Sequence, residues 1–301
     1  VSVEVSVVVR YRKAVTYGVN ALLGALETAK AECDLRLGTT PEETAEHIAA
    51  SPADRVLVLW SFYSPDAEAM AAELATVRAL ADDPRVLHVA GGVHATAEPQ
   101  QVIDAGWDLA AIGEGEPTIV ALVEALRADR PLTAVPGLAV RDGDGRALRT
   151  PPAPQLPLDA FPSFPDRRRH FGPIEITRGC AYTCRFCQTP FMFGGRFRHR
   201  SVDSVREHVR RMAAHGLRDV RFITPTSLSY GTQGPEPALA GRRGGTAGGR
   251  QRGTAGERAG VLRLASIGSD LPWNRRVLRS GRSTSMTHTP WSRSKRASPA
   301  P

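Results

Sequence analysis

The chain predicts an α/β fold: a doubly wound parallel sheet, then an incomplete βα barrel and a disordered tail. Three observations carry that expectation. Strand-like apolar runs alternate with alanine- and leucine-rich helical stretches through the first 130 residues. Glycines and polar residues gather where those strands end, as at the ligand end of an open parallel sheet. After a proline-rich run from Pro151 to Pro165, a second strand–loop–helix–strand pattern begins. The expected divisions are residues 1–130 for a Rossmann-like domain, 131–170 for a hairpin and proline-rich linker, 171–231 for the start of a barrel, and 232–301 for a low-complexity Arg/Gly-rich tail.

Val3–Val9 is β-branched and apolar, and reads as the first strand. Val19–Ala29 has helical spacing through Leu22, Leu23, Leu26 and Ala29, and Cys33–Leu37 is a short strand. Pro41–Ala50 opens with proline at a helix start, followed by two glutamates that suit the positive end of the helix dipole. Arg55–Trp60 is a continuous apolar run, as in a strand buried on both faces. A helix over Pro65–Ala81 follows, then a strand over Arg85–Ala90, a helix near Glu98–Ala105, a strand over Asp108–Ile112 and a helix over Pro117–Arg127.

The strand ends carry Ser61-Phe62-Tyr63-Ser64, Gly91-Gly92-Val93-His94-Ala95-Thr96 and Gly113-Glu114-Gly115-Glu116. From these, Gly91, Gly92, His94, Gly113 and Glu114 are the candidate cofactor contacts, because glycine lets a ligand approach the backbone closely. Plainer roles stay open: His94 as a cap, Gly91-Gly92 as turn chemistry, and Glu114 and Glu116 as acids favoured at a helix N-terminus.

Gly137–Val140 and Ala147–Thr150 flank Arg141-Asp142-Gly143-Asp144-Gly145-Arg146, a hairpin signal. Beyond the linker, Ile174–Thr177 alternates like a strand, and Arg178-Gly179 turns the chain into a cysteine loop. Ser201 is a helix N-cap, with Val202, Val205, Val209 and Met212 on one face and His215-Gly216 at the end. Asp219–Thr224 is the next strand. Arg196, Arg198 and Arg200 read as a solvated basic edge.

The loop reads Cys180-Ala181-Tyr182-Thr183-Cys184-Arg185-Phe186-Cys187, which is C-x3-C-x2-C. Three thiolates suit a 4Fe-4S cluster with one iron left open, whereas four would close it for electron transfer. A zinc site is the alternative; it needs a fourth ligand, for which His199, His170 and His208 are the candidates. Cys33 is expected to be a small buried apolar residue.

This motif resembles the radical S-adenosylmethionine (SAM) superfamily. The Gly-Gly-x-His-Ala-Thr and Gly-Glu-Gly-Glu stretches resemble the subgroup with an N-terminal cobalamin-binding domain. The resemblance implies that Cys180, Cys184 and Cys187 hold the cluster and that the open iron chelates SAM. An electron from a reductant such as ferredoxin or flavodoxin then splits SAM and starts radical chemistry. It implies also that Phe186 packs near the cluster or the adenine, and that Thr224 and Ser227 help to bind SAM. The acidic residue usual at that strand end is absent from Thr224-Pro225-Thr226-Ser227. Cobalamin is permitted rather than required: the Asp-x-His-x-x-Gly signature is missing, and Val86 stands where its aspartate would be, two residues before His88. Methyl transfer is one outcome in the subgroup, and the substrate is unspecified. A different class of reading is a non-catalytic iron–sulfur or cobalamin module with a basic tail. A methylthiotransferase would bring three more cysteines in its N-terminal domain.

The net charge of +8 belongs to the tail: residues 232–301 hold thirteen Lys and Arg against Glu236, Glu257 and Asp270, and the remainder is slightly acidic. No nucleic-acid partner is therefore inferred from charge alone. No apolar run suggests a membrane span or a signal peptide, and the sparse cysteines suit a reducing cytoplasm. From about Gly231 the alternation fails, in what should be mid-barrel. A frame error in a GC-rich gene is the favoured explanation and a genuine disordered tail the other. The coding DNA from codon 225 onward, translated in all frames, separates them. The chain as written is expected to have little activity.

Overall fold

A computed structural model describes residues 4–13, 16–29, 33–227 and 229–232. The expectations for residues 233–301 lie outside the described residues.

In chain order the first segment comprises β1 (Val5–Arg10), α1 (Thr16–Thr28), β2 (Asp34–Gly38), α2 (Pro41–Ala49), β3 (Arg55–Ser61), α3 (Ala67–Leu80), β4 (Val86–Gly91), α4 (Val93–Ala97), α5 (Pro99–Asp104), β5 (Leu109–Ala111), α6 (Gly115–Arg127), β6 (Leu138–Arg141) and β7 (Ala147–Arg149). One sheet runs in the order β2-β1-β3-β4-β5-β6-β7. The first five strands are mutually parallel, in the 2-1-3-4-5 order of a doubly wound sheet. The hairpin β6–β7 then adds antiparallel to β5, so the turn expected at 141–146 forms and its strands extend the sheet.

The period-2 direction of strand side chains sorts the core onto two faces. Val5, Val7 and Val9 of β1 and Leu57 and Leu59 of β3 pack with Leu23, Leu26, Leu122 and Val123 from α1 and α6. Val8, Val56, Val58 and Trp60 point the other way, onto Ile48, Met70, Leu74 and Val102 from α2, α3 and α5.

The helix expected near Glu98–Ala105 forms as α5, and a short helix that was not expected, α4, precedes it. Pro99 has no N–H to continue a helical ladder, and Glu98 closes α4 by donating its N–H to the His94 carbonyl. The final helix of the segment starts at Gly115, ahead of Pro117.

The second segment comprises β8 (Ile174–Glu175), β9 (Thr177–Arg178), α7 (Thr189–Phe193), β10 (Arg198–His199), α8 (Val202–Ala214) and β11 (Phe222–Ile223). The single strand expected over 174–177 is divided: β8 pairs parallel with β11, while β9 pairs antiparallel with β10. Ser201 caps α8 by accepting the Ser204 N–H, and Val205, Val209 and Met212 are buried. Among the described residues no helix is long and apolar enough to cross a membrane.

Candidate cofactor cavity and cysteine loop

Parallel strands that all end on one side leave a crevice there, and in this chain it is a cavity of about 290 Å³. Its rim is the end of β3 (Ser61, Phe62, Tyr63), the Gly91-Gly92-Val93 turn after β4 and the Gly113–Glu116 turn after β5. Leu22, Leu59 and Leu122 supply an apolar floor, and Arg178, Met192 and Phe193 reach it from the second segment. Gly92 has φ +90, and a Cβ there would meet the Ser61 hydroxyl at 3.0 Å, so the turn that aims the backbone at the cavity depends on glycine. A Cβ on Gly113 would meet nothing within 4 Å, so this position keeps open space at the rim.

The cavity edge holds a buried ionic hub. The Arg178 guanidinium donates to Glu114 (2.9 Å), Glu116 (2.5 Å) and Glu175 (2.7 Å), and each of these four side chains is at most 10% exposed. Arg198 makes a second pair with Glu114. Three carboxylates thus contact two guanidiniums away from water, and a third guanidinium, that of buried Arg200, lies beside them. Burial disfavours the charged form of Glu116, but Arg178 outweighs it and holds this carboxyl below the usual range. Burial alone would lower the Arg178 pKa; Glu116 and Glu175 reverse that and raise it well above the ordinary value. Tyr17 also lines the cavity; its pKa is pushed well up, first by burial of the phenol and then by Glu175.

The expected basic edge is therefore corrected. Arg196 is exposed, but Arg198 pairs with Glu114, and Arg200 is 3% exposed with its guanidinium on the carbonyls of Glu175 and Phe161. These partners lie 25 to 84 residues away, so no local pattern announces them.

The cysteine loop leaves β9 through Gly179, whose φ is +79. A Cβ there would run into the Arg196 carbonyl oxygen, so close backbone packing excludes any other residue. Cys180 is buried, Cys187 half-buried and Cys184 exposed. Cys187 Sγ lies 3.4 Å from Thr189 Oγ1, and hydrogen bonding with the Thr189 side chain and backbone holds this thiol below its ordinary pKa, toward the thiolate that metals bind. In donor chemistry the three thiols of one loop fit an iron–sulfur cluster. Among the described residues no three metal-binding side chains converge as they stand. The zinc alternative loses two of its candidates: His199 uses one ring nitrogen on Thr177 and the other on the Thr232 carbonyl, and His208 spends its pair on Ser204 and Ser163.

Of the other candidates, Gly91, Gly92, Gly113 and Glu114 all reach the cavity. His94 does not line it; the ring packs on Phe62 at 5.5 Å and meets the Ser64 hydroxyl at 3.2 Å. His88 is inside the sheet, accepting from Trp60 Nε1 at 3.2 Å. Phe186 is 92% exposed. Thr224, half-buried with its hydroxyl on the Thr226 carbonyl, and exposed Ser227 follow β11. Because β11 is parallel to β8, both lie at the end of the pair from which the chain moves on toward the cysteine loop. Cys33 is half-buried against the α1/α6 face, and burial pushes its thiol up. The pairing of Glu114 and Glu116 with Arg178 is the main feature that sequence reasoning misses, although both glutamates stand in a turn that the sequence marks.

Comparison with known proteins supports both segments. The B12 binding domain family matches residues 4–123, and the radical SAM superfamily matches residues 174–246. An uncharacterised methyltransferase of Pyrococcus horikoshii is 30% identical over 155 residues, which is 47% of this chain and 34% of that protein. The anaerobic magnesium-protoporphyrin IX monomethyl ester cyclase of Cereibacter sphaeroides is 33% identical over 44% of this chain and 24% of its own length. The chain thus spans about a third or less of these relatives. In fold it is similar to the radical SAM methyltransferase TsrM from Kitasatospora setae, solved with cobalamin and a 4Fe-4S cluster, at TM-score 0.58 and 22% identity over 74% of this chain and 49% of that one. The cobalamin-dependent SAM radical enzyme OxsB aligns at TM-score 0.55 and 18% identity over 71% of this chain and 32% of that one. A B12 binding domain followed by a radical SAM segment defines the class. In this chain the match to the B12 binding domain family precedes the match to the radical SAM superfamily, which takes in the cysteine loop.

Proposed function

We propose that the chain is the cofactor-binding part of a cobalamin-dependent radical SAM enzyme whose reaction is methyl transfer. The observation that carries this is adjacency: one cavity is walled by the B12-domain turns after β3, β4 and β5 and by Arg178, Met192 and Phe193 from around the cysteine loop. Cys180, Cys184 and Cys187 would hold the 4Fe-4S cluster, and the cavity rim at Gly91, Gly92, Gly113 and Glu114 would hold part of a corrinoid. When bound, these groups supply an electron for SAM cleavage and a carrier for the methyl group.

The chain's own residues prepare that site. The glycine turns bring backbone to the rim without side-chain obstruction. The leucine floor excludes water from the inner end, and the cavity lies near the lower limit of small-molecule sites, about 300 Å³. A corrinoid is larger and would extend past the rim. Thr189 biases Cys187 toward thiolate. Thr224 and Ser227 remain the proposed SAM contacts, with Phe186 beside the cluster or the adenine. The expected partners are a reductant such as ferredoxin or flavodoxin and a substrate whose class is unassigned.

Anaerobic reconstitution with iron, sulfide and hydroxocobalamin tests the reading. The expected result is about four irons per chain, an iron–sulfur absorbance lost in Cys180→Ala, Cys184→Ala and Cys187→Ala, and bound cobalamin. Ala111→Phe, placed on the cavity wall, should weaken cobalamin at least about tenfold and leave iron content unchanged. With dithionite, even a small yield of S-adenosylhomocysteine or 5′-deoxyadenosine from SAM would mark catalysis, since little activity is expected of the chain as written. Cofactors that bind without SAM turnover would favour the non-catalytic module, and failure to take up either cofactor would reject the proposal.

A further inference from the structure

We infer that Arg178 is a positioning residue that transmits occupancy of the cavity to the cysteine loop, so that corrinoid binding and cluster binding strengthen each other. The inference deepens the function proposed above and rests on it. Arg178 stands two residues before Cys180 and is the last residue of β9. Its guanidinium is held by Glu114 and Glu116, which belong to the turn that starts α6 and rims the cavity, and by Glu175 at the end of β8. Glu114, Glu116 and Arg178 all line the cavity themselves. A ligand seated there touches one end of the hub, and the cysteine loop leaves from the other.

Two features make the link stiff. A planar guanidinium with three carboxylate partners has few orientations that satisfy all of them, and burial penalises any orientation that leaves a charge unpaired. The step from Arg178 to Cys180 passes through Gly179, packed so tightly against the Arg196 carbonyl that no Cβ fits. Displacement of the guanidinium is therefore passed along the backbone instead of being absorbed in a loose turn. The acids supply the direction: a ligand that donates hydrogen bonds to Glu114 or Glu116, as the amide side arms of a corrinoid do, holds these carboxylates in place against Arg178. It thereby favours the arrangement in which Arg178 is fixed.

Such coupling is reciprocal, and site-to-site couplings typically span about 5- to 150-fold. The experiment measures hydroxocobalamin affinity of the full chain with and without a reconstituted cluster. Amide exchange over residues 179–195 is followed in the cluster-free chain as cobalamin is added. Wild type should bind cobalamin at least about 5-fold more tightly when the cluster is present, and cobalamin should slow exchange in the cysteine loop. In Arg178→Met both effects should vanish, with the two affinities becoming equal. Arg178→Met/Glu116→Gln removes one buried carboxylate along with the guanidinium, and serves if the single variant does not fold. Arg178→Lys, which keeps the charge but loses the fork, should restore part of the ratio; a merely structural role would restore stability without it. Equal affinities in wild type, or an unchanged ratio in both Met variants, overturns the inference while leaving the cofactor assignment standing. No cobalamin uptake by wild type overturns the assignment and the inference together.

Discussion

Arg178 meets three buried carboxylates, and its loss is far costlier than the loss of any exposed ion pair. Exposed pairs such as Arg210 with Glu207 contribute about 0–1 kcal/mol. Removal of one partner from a buried pair typically costs about 3–5 kcal/mol, because the other charge stays behind. Arg178→Met should therefore lower unfolding free energy by that amount in urea titrations, and Glu116→Gln by about 1–3 kcal/mol, since Arg178 keeps two other acceptors. Gly179→Ala is a second test. The strain of φ +79 and the clash with the Arg196 carbonyl should reduce both the melting temperature and the iron content, although no sulfur is removed. The proposed ligand set Cys180, Cys184 and Cys187 can be picked out in the sequence, because three cysteines within eight residues make a local pattern. The role of Glu114 and Glu116 is only half legible: their place at a strand end can be read, but their partner lies 62 to 64 residues downstream. Spacing within a motif carries no information about that pairing. Arg198 and Arg200 read wrongly as solvated for the same reason.

At the scale of elements, β4 carries a pH liability. Burial, aided by Arg78 and opposed by Asp108, lowers the His88 pKa to about 4 from its ordinary value of 6.5. Between those values the unfolded chain binds more protons than the folded one. Stability from this residue is thus complete above about pH 6.5 and is lost as the pH falls toward 4. The full loss should reach about 3 kcal/mol, since each tenfold change in proton affinity is worth about 1.4 kcal/mol. Urea unfolding at pH 7.5 and pH 5 should show about 2 kcal/mol of that fall, and His88→Phe should flatten the difference. The hairpin β6–β7 gives another element-scale prediction. Because it covers the free edge of β5, a fragment ending at residue 130 should aggregate, and one ending near residue 155 should stay monomeric in size-exclusion chromatography. The strands β1–β5 can be read from their apolar runs, which face packed helices on both sides. The hairpin turn can be read too. Its docking cannot, because antiparallel register against β5 is set by tertiary packing. The two-residue strands β8 and β9 are too short for any alternation to reveal where one ends and the next begins.

At the scale of the whole molecule, the hub joins the two segments by buried charge. Buried charges are screened little by salt. Thermal unfolding of the wild-type chain should therefore show the B12-domain and cysteine-loop segments melting together, with little change between about 50 mM and about 500 mM salt. Arg178→Met should separate them into two transitions by calorimetry. The order of the two segments and the class of each are legible, because each carries its own local signature; the wiring between them is not. That wiring has an evolutionary consequence. A B12 domain cannot be exchanged as a self-contained cassette, because the acids at positions 114 and 116 answer to a base on the far side of the linker. A chimera that takes β1–α6 from one ancestor and the cysteine loop from another inherits a working joint only if both halves keep the same charge code. Recombination between such genes should therefore leave viable offspring where the glutamates and the arginine travel together.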